Sequence, residues 1–170
     1  MIRFRDLKGM FKMISFKICN NAQEMFGEND LEEIIREYQQ CANNTLQGNL
    51  ANFDMCDQQR YYHIYEDLEK KDQSFVYVIM ADEEKNVGVV ILELDYQAHY
   101  GYKVAFINSL FLLPKYRRLN YGRKLIQFAQ KLAKKKGAKG MYFTAPAGSR
   151  LESVYNRLYI KTDSLFFKEL

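Results

Sequence analysis

Between Leu112 and Arg123 the chain passes from an apolar run into an amphipathic helix through Leu-Leu-Pro-Lys-Tyr-Arg-Arg-Leu-Asn-Tyr-Gly-Arg, and no other segment limits the fold as tightly. Pro114 has no amide hydrogen, so a strand must stop there. Leu125, Ile126, Ala129, Leu132 and Ala133 then recur on one face of a helix that opens near Gly122 and closes at Gly137, and that face must pack on a sheet. A strand delivered to a helix start by a short basic turn leaves several backbone N–H groups free at a positive helix end, which suits a diphosphate. From the residues alone, the ligand is a phosphorylated cofactor.

Composition narrows the architecture. The chain has 170 residues, 48% of them apolar and 15% aromatic, enough for one domain with a sizeable core and short for two. It contains no run of about 18 uncharged apolar residues, so no membrane span is expected. The opening Met-Ile-Arg-Phe-Arg-Asp-Leu-Lys lacks the apolar core of a secretory signal. Cys19, Cys41 and Cys56 are odd in number, far apart and without a CxxC, which argues for reduced thiols in a cytoplasm and against disulfides or a metal site. A formal charge of +4 fits an anionic ligand without demanding one.

Periodicity orders the elements. After a basic N-terminal extension, residues 1–11, a single domain spans 12–170 and begins with a strand near Met13 to Cys19. Asn29 with Glu32 reads as a capping pair, and Leu31, Ile34, Ile35 and Tyr38 predict a helix running to about Ala42, before a polar loop from Asn43 to Asn52. Tyr61, Tyr62, Ile64, Tyr65 and Leu68 predict a second helix. Phe75 to Met80 and Val87 to Tyr96, joined by the polar Asp82 to Asn86, predict a β-hairpin, and Val104 to Leu113 a further strand. Met141 to Ala145 is the next strand. Ser149-Arg-Leu-Glu152 is a capping box that starts a helix with Leu151, Val154, Tyr155 and Leu158 inward, and Ser164 to Lys168 is a last strand.

The Leu112–Arg123 passage resembles motif A of the GNAT superfamily of acyl-CoA-dependent N-acyltransferases, apolar-x-Pro-x-Tyr-(Arg/Gln)-x-x-Gly-x-(Gly/Ala), through Leu112, Pro114, Tyr116, Arg117, Asn120 and Gly122. Asn120 stands where the family has its first glycine, and asparagine is the residue that best tolerates a left-handed backbone or caps a helix. Val154-Tyr-Asn-Arg-Leu-Tyr-Ile160 is similar to the family's apolar-Tyr-x-(Lys/Arg)-apolar-Gly-(Phe/Tyr) segment, with Tyr159 in place of its glycine. The element order β-α-α-β-β-β-α-β-α-β also matches, and the tail from Tyr155 looks similar to that of short bacterial or phage-encoded members.

The resemblance implies an α/β (α+β) fold with a central mixed, mostly antiparallel, splayed sheet flanked by helices. It implies acetyl-CoA as cofactor and transfer of an acetyl group to a primary amine by direct attack through a tetrahedral intermediate, without a covalent enzyme intermediate. By the same resemblance, backbone groups of Leu110, Leu112 and Leu113 hold the pantetheine. Arg117, Arg118, Leu119, Asn120, Tyr121, Gly122 and Arg123 form the diphosphate cradle, and Tyr155 protonates the leaving thiolate. The phenol is suited to that role, since it carries a transferable proton at neutral pH.

A base for the amine is harder to read. Many members carry a glutamate on or beside the strand before the cradle, and Ile107-Asn-Ser-Leu110 offers no acid. Glu93 and Asp95 on the preceding strand are candidates, as is a water chain ending on Asn108 or Ser109; His63 and His99 are the only imidazoles. No Gly-x-Ser-x-Gly elbow or Cys-His context supports a covalent nucleophile. Lys131, Lys134–Lys136 and Lys139 would serve nucleic acid, although such a run is ordinarily a solvated helix face. Tyr61, Tyr62 and Tyr65 are core residues or the lining of an acceptor cleft. The alternative function is a GNAT fold that binds acyl-CoA, has reduced catalysis and acts through a macromolecular partner. The acceptor, a small molecule or a protein, depends on loops 43–57 and 96–103, which carry no motif; the assembly is a monomer or homodimer.

Overall fold

A computed structural model describes residues 4–5, 11–12, 14–45, 57–99, 101–117, 120–145 and 148–161. A short ribbon of β1 (Phe4–Arg5) and β2 (Phe11–Lys12) precedes the main sheet. That sheet has the order β3 (Ile14–Cys19), β4 (Ser74–Asp82), β5 (Lys85–Gln97), β6 (Tyr102–Leu112) and β7 (Gly140–Tyr142). The first three pairings are antiparallel, and β6 with β7 is parallel. The run Phe75 to Met80 is buried throughout, as expected of a central strand covered on both faces. Gly88 on β5 is what allows tight packing beside it: a Cβ there would lie 2.8 Å from Leu112 Cδ1 and 3.1 Å from the Phe111 carbonyl oxygen.

Helices α1 (Glu32–Thr45) and α2 (Gln58–Glu69) cover one face, and α3 (Tyr121–Lys135) covers the other. Tyr38 of α1 meets Phe111 edge to face at 5.6 Å, whereas Phe128 of α3 stacks on Phe16 of β3 at 4.3 Å. Leu125, Ala129, Leu132 and Ala133 are buried as expected, with Ile126 half-buried. Gly137 has φ +91°, and the bonds Gly137 N–H to Lys134 O and Ala138 N–H to Ala133 O, each 3.0 Å, close α3 in a Schellman turn.

Five local expectations need correction. Asn29 does not cap α1. Its Nδ2 donates to the carbonyls of Glu24 and Met25, and its Oδ1 accepts from Lys17, so the Glu32 N–H goes to Asp30 Oδ1 at 3.2 Å instead. The capping box of α4 (Arg150–Leu158) forms with a shift: Ser149 Oγ accepts from Glu152 N–H at 3.1 Å, but the Glu152 carboxylate reaches Gly148 N–H at 2.6 Å rather than Ser149. Leu158 does not face inward; it is 62% exposed, because α4 ends there and Tyr159 turns extended. The fifth strand in the predicted order stops at Tyr142, and α1 continues past Ala42. The last strand, Ser164 to Lys168, lies outside the described residues.

Candidate functional site

The sheet opens where the two parallel strands part. β6 and β7 pair only from Val104↔Gly140 to Phe106↔Tyr142, where the Phe106 and Tyr142 rings stack at 5.0 Å. From Ile107 to Leu112, β6 stays paired with β5, but no strand among the described residues takes up its other edge. Apart from the Leu112 carbonyl, which accepts from Arg117, backbone N–H and C=O groups along that edge are therefore open to bind something else. Leu110, Leu112 and Leu113 supply this stretch with apolar side chains that anchor it: Leu113 is 1% exposed, and its N–H bonds to Val87 O at 2.9 Å.

β6 ends at Pro114, and a single 3-10 turn, Pro114–Tyr116, leads toward α3. The Tyr116 and Tyr121 rings stack at 5.9 Å across this connection. Asn120 is left-handed (φ 59°, ψ 10°), as its replacement of a glycine required, and its side chain caps nothing. The first backbone bond of the helix runs from Lys124 N–H to Asn120 O at 3.1 Å, so the N–H groups of Gly122 and Arg123 have no helical partner. The nearest atom to a Cβ built on Gly122 is Leu112 Cδ2 at 3.8 Å. The protein leaves room there that it does not itself use. Arg118 and Leu119 lie outside the described residues.

Arg117 turns away from this helix end. Its Nε donates to Leu112 O at 2.9 Å, its guanidinium carbon lies 5.0 Å from the Phe111 ring centre, and Nη2 is 3.5 Å from Cys41 Sγ. Its backbone N–H is also occupied, by Pro114 O at 3.2 Å. The side chain braces the end of β6 against α1.

On the β7 side of the opening, Tyr155 of α4 is buried with its ring 5.2 Å from Phe143 and 5.7 Å from Tyr159. Its hydroxyl has no hydrogen-bond partner among the described residues. Burial pushes its pKa well above the ordinary phenol value, with a smaller contribution from Tyr159, so it keeps its proton. A buried O–H left unpaired costs about 1–3 kcal/mol, an expense that a ligand atom accepting the bond would relieve.

The α1–α2 face of the opening carries a second polar group. Ile91 pairs with Ser109 and Leu92 with Ile107, so Asn108 is an extra residue, bulged from β6. Asn108 Oδ1 accepts from Tyr65 Oη of α2 at 2.7 Å, and Nδ2 donates to Glu93 Oε2 at 3.3 Å. Ser109 lines an apolar hollow with Phe26, Tyr38, Tyr61 and Phe111. The structure thus joins Glu93 to Asn108 and places Ser109, the next residue of β6, in the hollow. It leaves Asp95 exposed, with Oδ1 accepting from Tyr96 N–H at 2.7 Å, and His63 on the exposed side of α2, 4.0 Å from Glu66. His99 is exposed in the β5–β6 turn. Tyr65 as a partner of Asn108 was not legible beforehand; the only sign was a polar Asn-Ser pair inside an apolar strand. No group of three or more His, Cys, Asp or Glu residues placed to hold a metal ion exists among the described residues, and no described helix is long and apolar enough to cross a membrane.

None of the curated proteins compared with the chain matches it in sequence. Solved structures do match in fold. An aminoglycoside acetyltransferase, meta-AAC0020, from an uncultured soil metagenomic sample, solved with sisomicin, is 16% identical with a TM-score of 0.66 over 92% of this chain and 96% of its own. A ribosomal-protein-alanine N-acetyltransferase from Brucella melitensis biovar Abortus 2308 is 11% identical with a TM-score of 0.67 over 93% and 99%. The aminoglycoside N-acetyltransferase AAC(6')-Iy, solved with CoA, is 15% identical with a TM-score of 0.60 over 94% and 95%. The family profile described as Acetyltransferase (GNAT) family matches residues 31–158, from the start of α1 to the end of α4 and across both walls of the opening, and the chain therefore belongs to the GNAT acetyltransferase family.

Proposed function

We propose that this protein is an N-acetyltransferase that moves an acetyl group from acetyl-CoA to a primary amine by direct attack. The observation that carries the reading is the opening itself: a free edge of β6 that leads to an uncapped helix start, with an unpaired buried phenol on its β7 side. The chain fits the cofactor. The N–H groups of Gly122 and Arg123, with Asn120, Tyr121 and the sequence neighbours Arg118 and Leu119, would hold the diphosphate, and backbone groups of Leu110 and Leu112 would hold the pantetheine amides, with Leu113 anchoring them because its N–H goes to Val87 O and its C=O to Tyr116 N–H. Arg117 contributes by bracing the strand end rather than by lending its charge.

Acetyl-CoA, when bound, would supply an acyl group activated as a thioester, in which the amine nitrogen replaces the sulfur at the acyl carbon. Tyr155 holds the proton that the departing sulfur needs. Glu93, beside Asn108 and Ser109, takes the proton that the amine loses. The rigid strand and the packed helices hold the reacting groups in register, which removes an entropic part of the barrier. The acceptor is an amine of a small molecule or a protein, and Cys19 and Cys41, neither of them in a disulfide, fit a cytoplasmic setting.

Calorimetry with acetyl-CoA, followed by thiol release with a panel of primary amines, tests the reading. Micromolar binding with transfer to at least one amine is expected. Binding without any transfer would favour the alternative of an acyl-CoA-binding protein that acts through a partner, and no binding by folded protein would remove the cofactor assignment.

A further inference from the structure

We infer that Tyr65 is a positioning residue for the acceptor side of the site: its hydroxyl holds the side-chain amide of Asn108 in the orientation that presents Nδ2–H to Glu93. The inference rests on the reading of Glu93 as the group that takes the amine proton.

A strand residue normally inherits its side-chain direction from the pleat and the register of its neighbours. Asn108 cannot, because the bulge removes its opposite number on β5. It is also exposed, so packing does not confine it. Its amide has two ends of opposite character, and the two flips are not equivalent. In the observed one, Oδ1 receives the Tyr65 proton and Nδ2 gives a hydrogen to the Glu93 carboxylate. In the reverse flip an acceptor oxygen would face an acceptor carboxylate, and Tyr65 would lose its acceptor.

Tyr65 is suited to impose the choice. It is buried, and its ring is held by Phe26 at 5.6 Å, Phe75 at 5.2 Å and Tyr77 at 5.7 Å, so the hydroxyl cannot swing away. Burial keeps the phenol protonated, which makes it a permanent donor. The three groups come from α2, β6 and β5, and the chain Tyr65 to Asn108 to Glu93 runs in one direction, each member donating to the next. Glu93 Oε2 is thereby committed to Asn108, and Oε1 bonds to nothing among the described residues, free for an amine.

The test is relaxation measurement on the side-chain amide of Asn108 in isotopically labelled protein, comparing the parent with Tyr65→Phe. Phenylalanine keeps the ring and its contacts, so the variant folds, and the side-chain amide of Gln58, bonded to the carbonyls of Phe26 and Asn29 on the same helix, serves as the internal control. The expected result is an Asn108 order parameter near the rigid value of about 0.85 in the parent and below about 0.6 in the variant, with Gln58 unchanged. Equal rigidity of Asn108 in both proteins would overturn the inference, as would a Tyr65→Phe protein in which Asn108 and Gln58 loosen together. The reading beneath it fails separately: Glu93→Gln with undiminished transfer would remove Glu93 as proton acceptor while leaving the Tyr65 bond as measured.

Discussion

Tyr155 and Tyr159 both set their rings against Phe143, at 5.2 and 4.2 Å, yet only Tyr159 has a partner for its hydroxyl, Gln130 Nε2 of α3 at 3.2 Å. The two phenols are divided in task by that difference. Tyr159 ties α4 to α3 and to the end of β7, and Tyr155 holds a buried proton with nothing among the described residues to receive it.

Tyr155→Phe therefore separates stability from activity. Deleting an unpaired buried hydroxyl leaves stability unchanged or raises it by about 1 kcal/mol. Transfer falls by about 10²-fold or more, the usual contribution of a positioned acid. Denaturant titration and thiol release on the same samples check both; unchanged turnover would remove the acid role.

Gly122→Val should abolish acetyl-CoA binding without unfolding the protein. A Cβ there meets only Leu112 Cδ2, at an ordinary 3.8 Å, but its side chain grows into the space beside the free N–H groups. The expected calorimetric result is a loss of affinity of at least about tenfold, or about 1.4 kcal/mol, with the melting temperature within a few degrees of the parent.

Arg117→Ala should behave in the opposite sense. Its bond to Leu112 O and its stacking on Phe111 hold the end of β6, so stability falls by about 1 kcal/mol. Affinity for acetyl-CoA falls less than in Gly122→Val. A larger loss of affinity than of stability would show that the guanidinium reaches the cofactor after all.

Alkaline pH should unfold the protein through its buried phenols. Tyr65, Tyr77 and Tyr155 all have raised pKa values, chiefly from burial, with the Glu69 hydrogen bond adding to the shift at Tyr77. A raised value stabilises the fold fully below the pKa of the unfolded chain, about 10, and that stabilisation is lost as pH rises beyond it. Tyrosinate absorbance from these residues should appear together with the loss of helical signal, and Tyr77→Phe should make the loss of stability above that pH shallower.

Much of this arrangement is legible in the amino-acid sequence, and the reasons it is or is not are local. The runs Phe75 to Met80 and Val89 to Leu92 announced β4 and β5 because burial on both faces demands unbroken apolar sequence, and Gly137 announced the end of α3 because a left-handed residue is needed there. Asn120 was legible for the same reason. The bulge at Asn108 was not, since a single extra residue changes no periodicity and depends on the partner strand. The direction of Arg117 was not either: a guanidinium near a carbonyl, an aromatic ring and a helix chooses among them in three dimensions. Asn29 and Asp30 are adjacent and equally good caps, and only the reach of Lys17 and the carbonyls of Glu24 and Met25 separates them.

The early parting of β6 and β7 has a consequence for solubility. An unpaired strand edge is the feature through which proteins most readily add a neighbour's strand and aggregate. Here the bare edge of β6 begins where a parallel pairing ends, so the incoming space is a wedge closed at one end by Phe106 and Tyr142. A foreign strand needs an unobstructed line of approach along the whole edge, whereas a slender flexible chain carrying a few amide groups can enter the wedge from its open end. The same divergence that exposes backbone to a small ligand withholds it from other proteins.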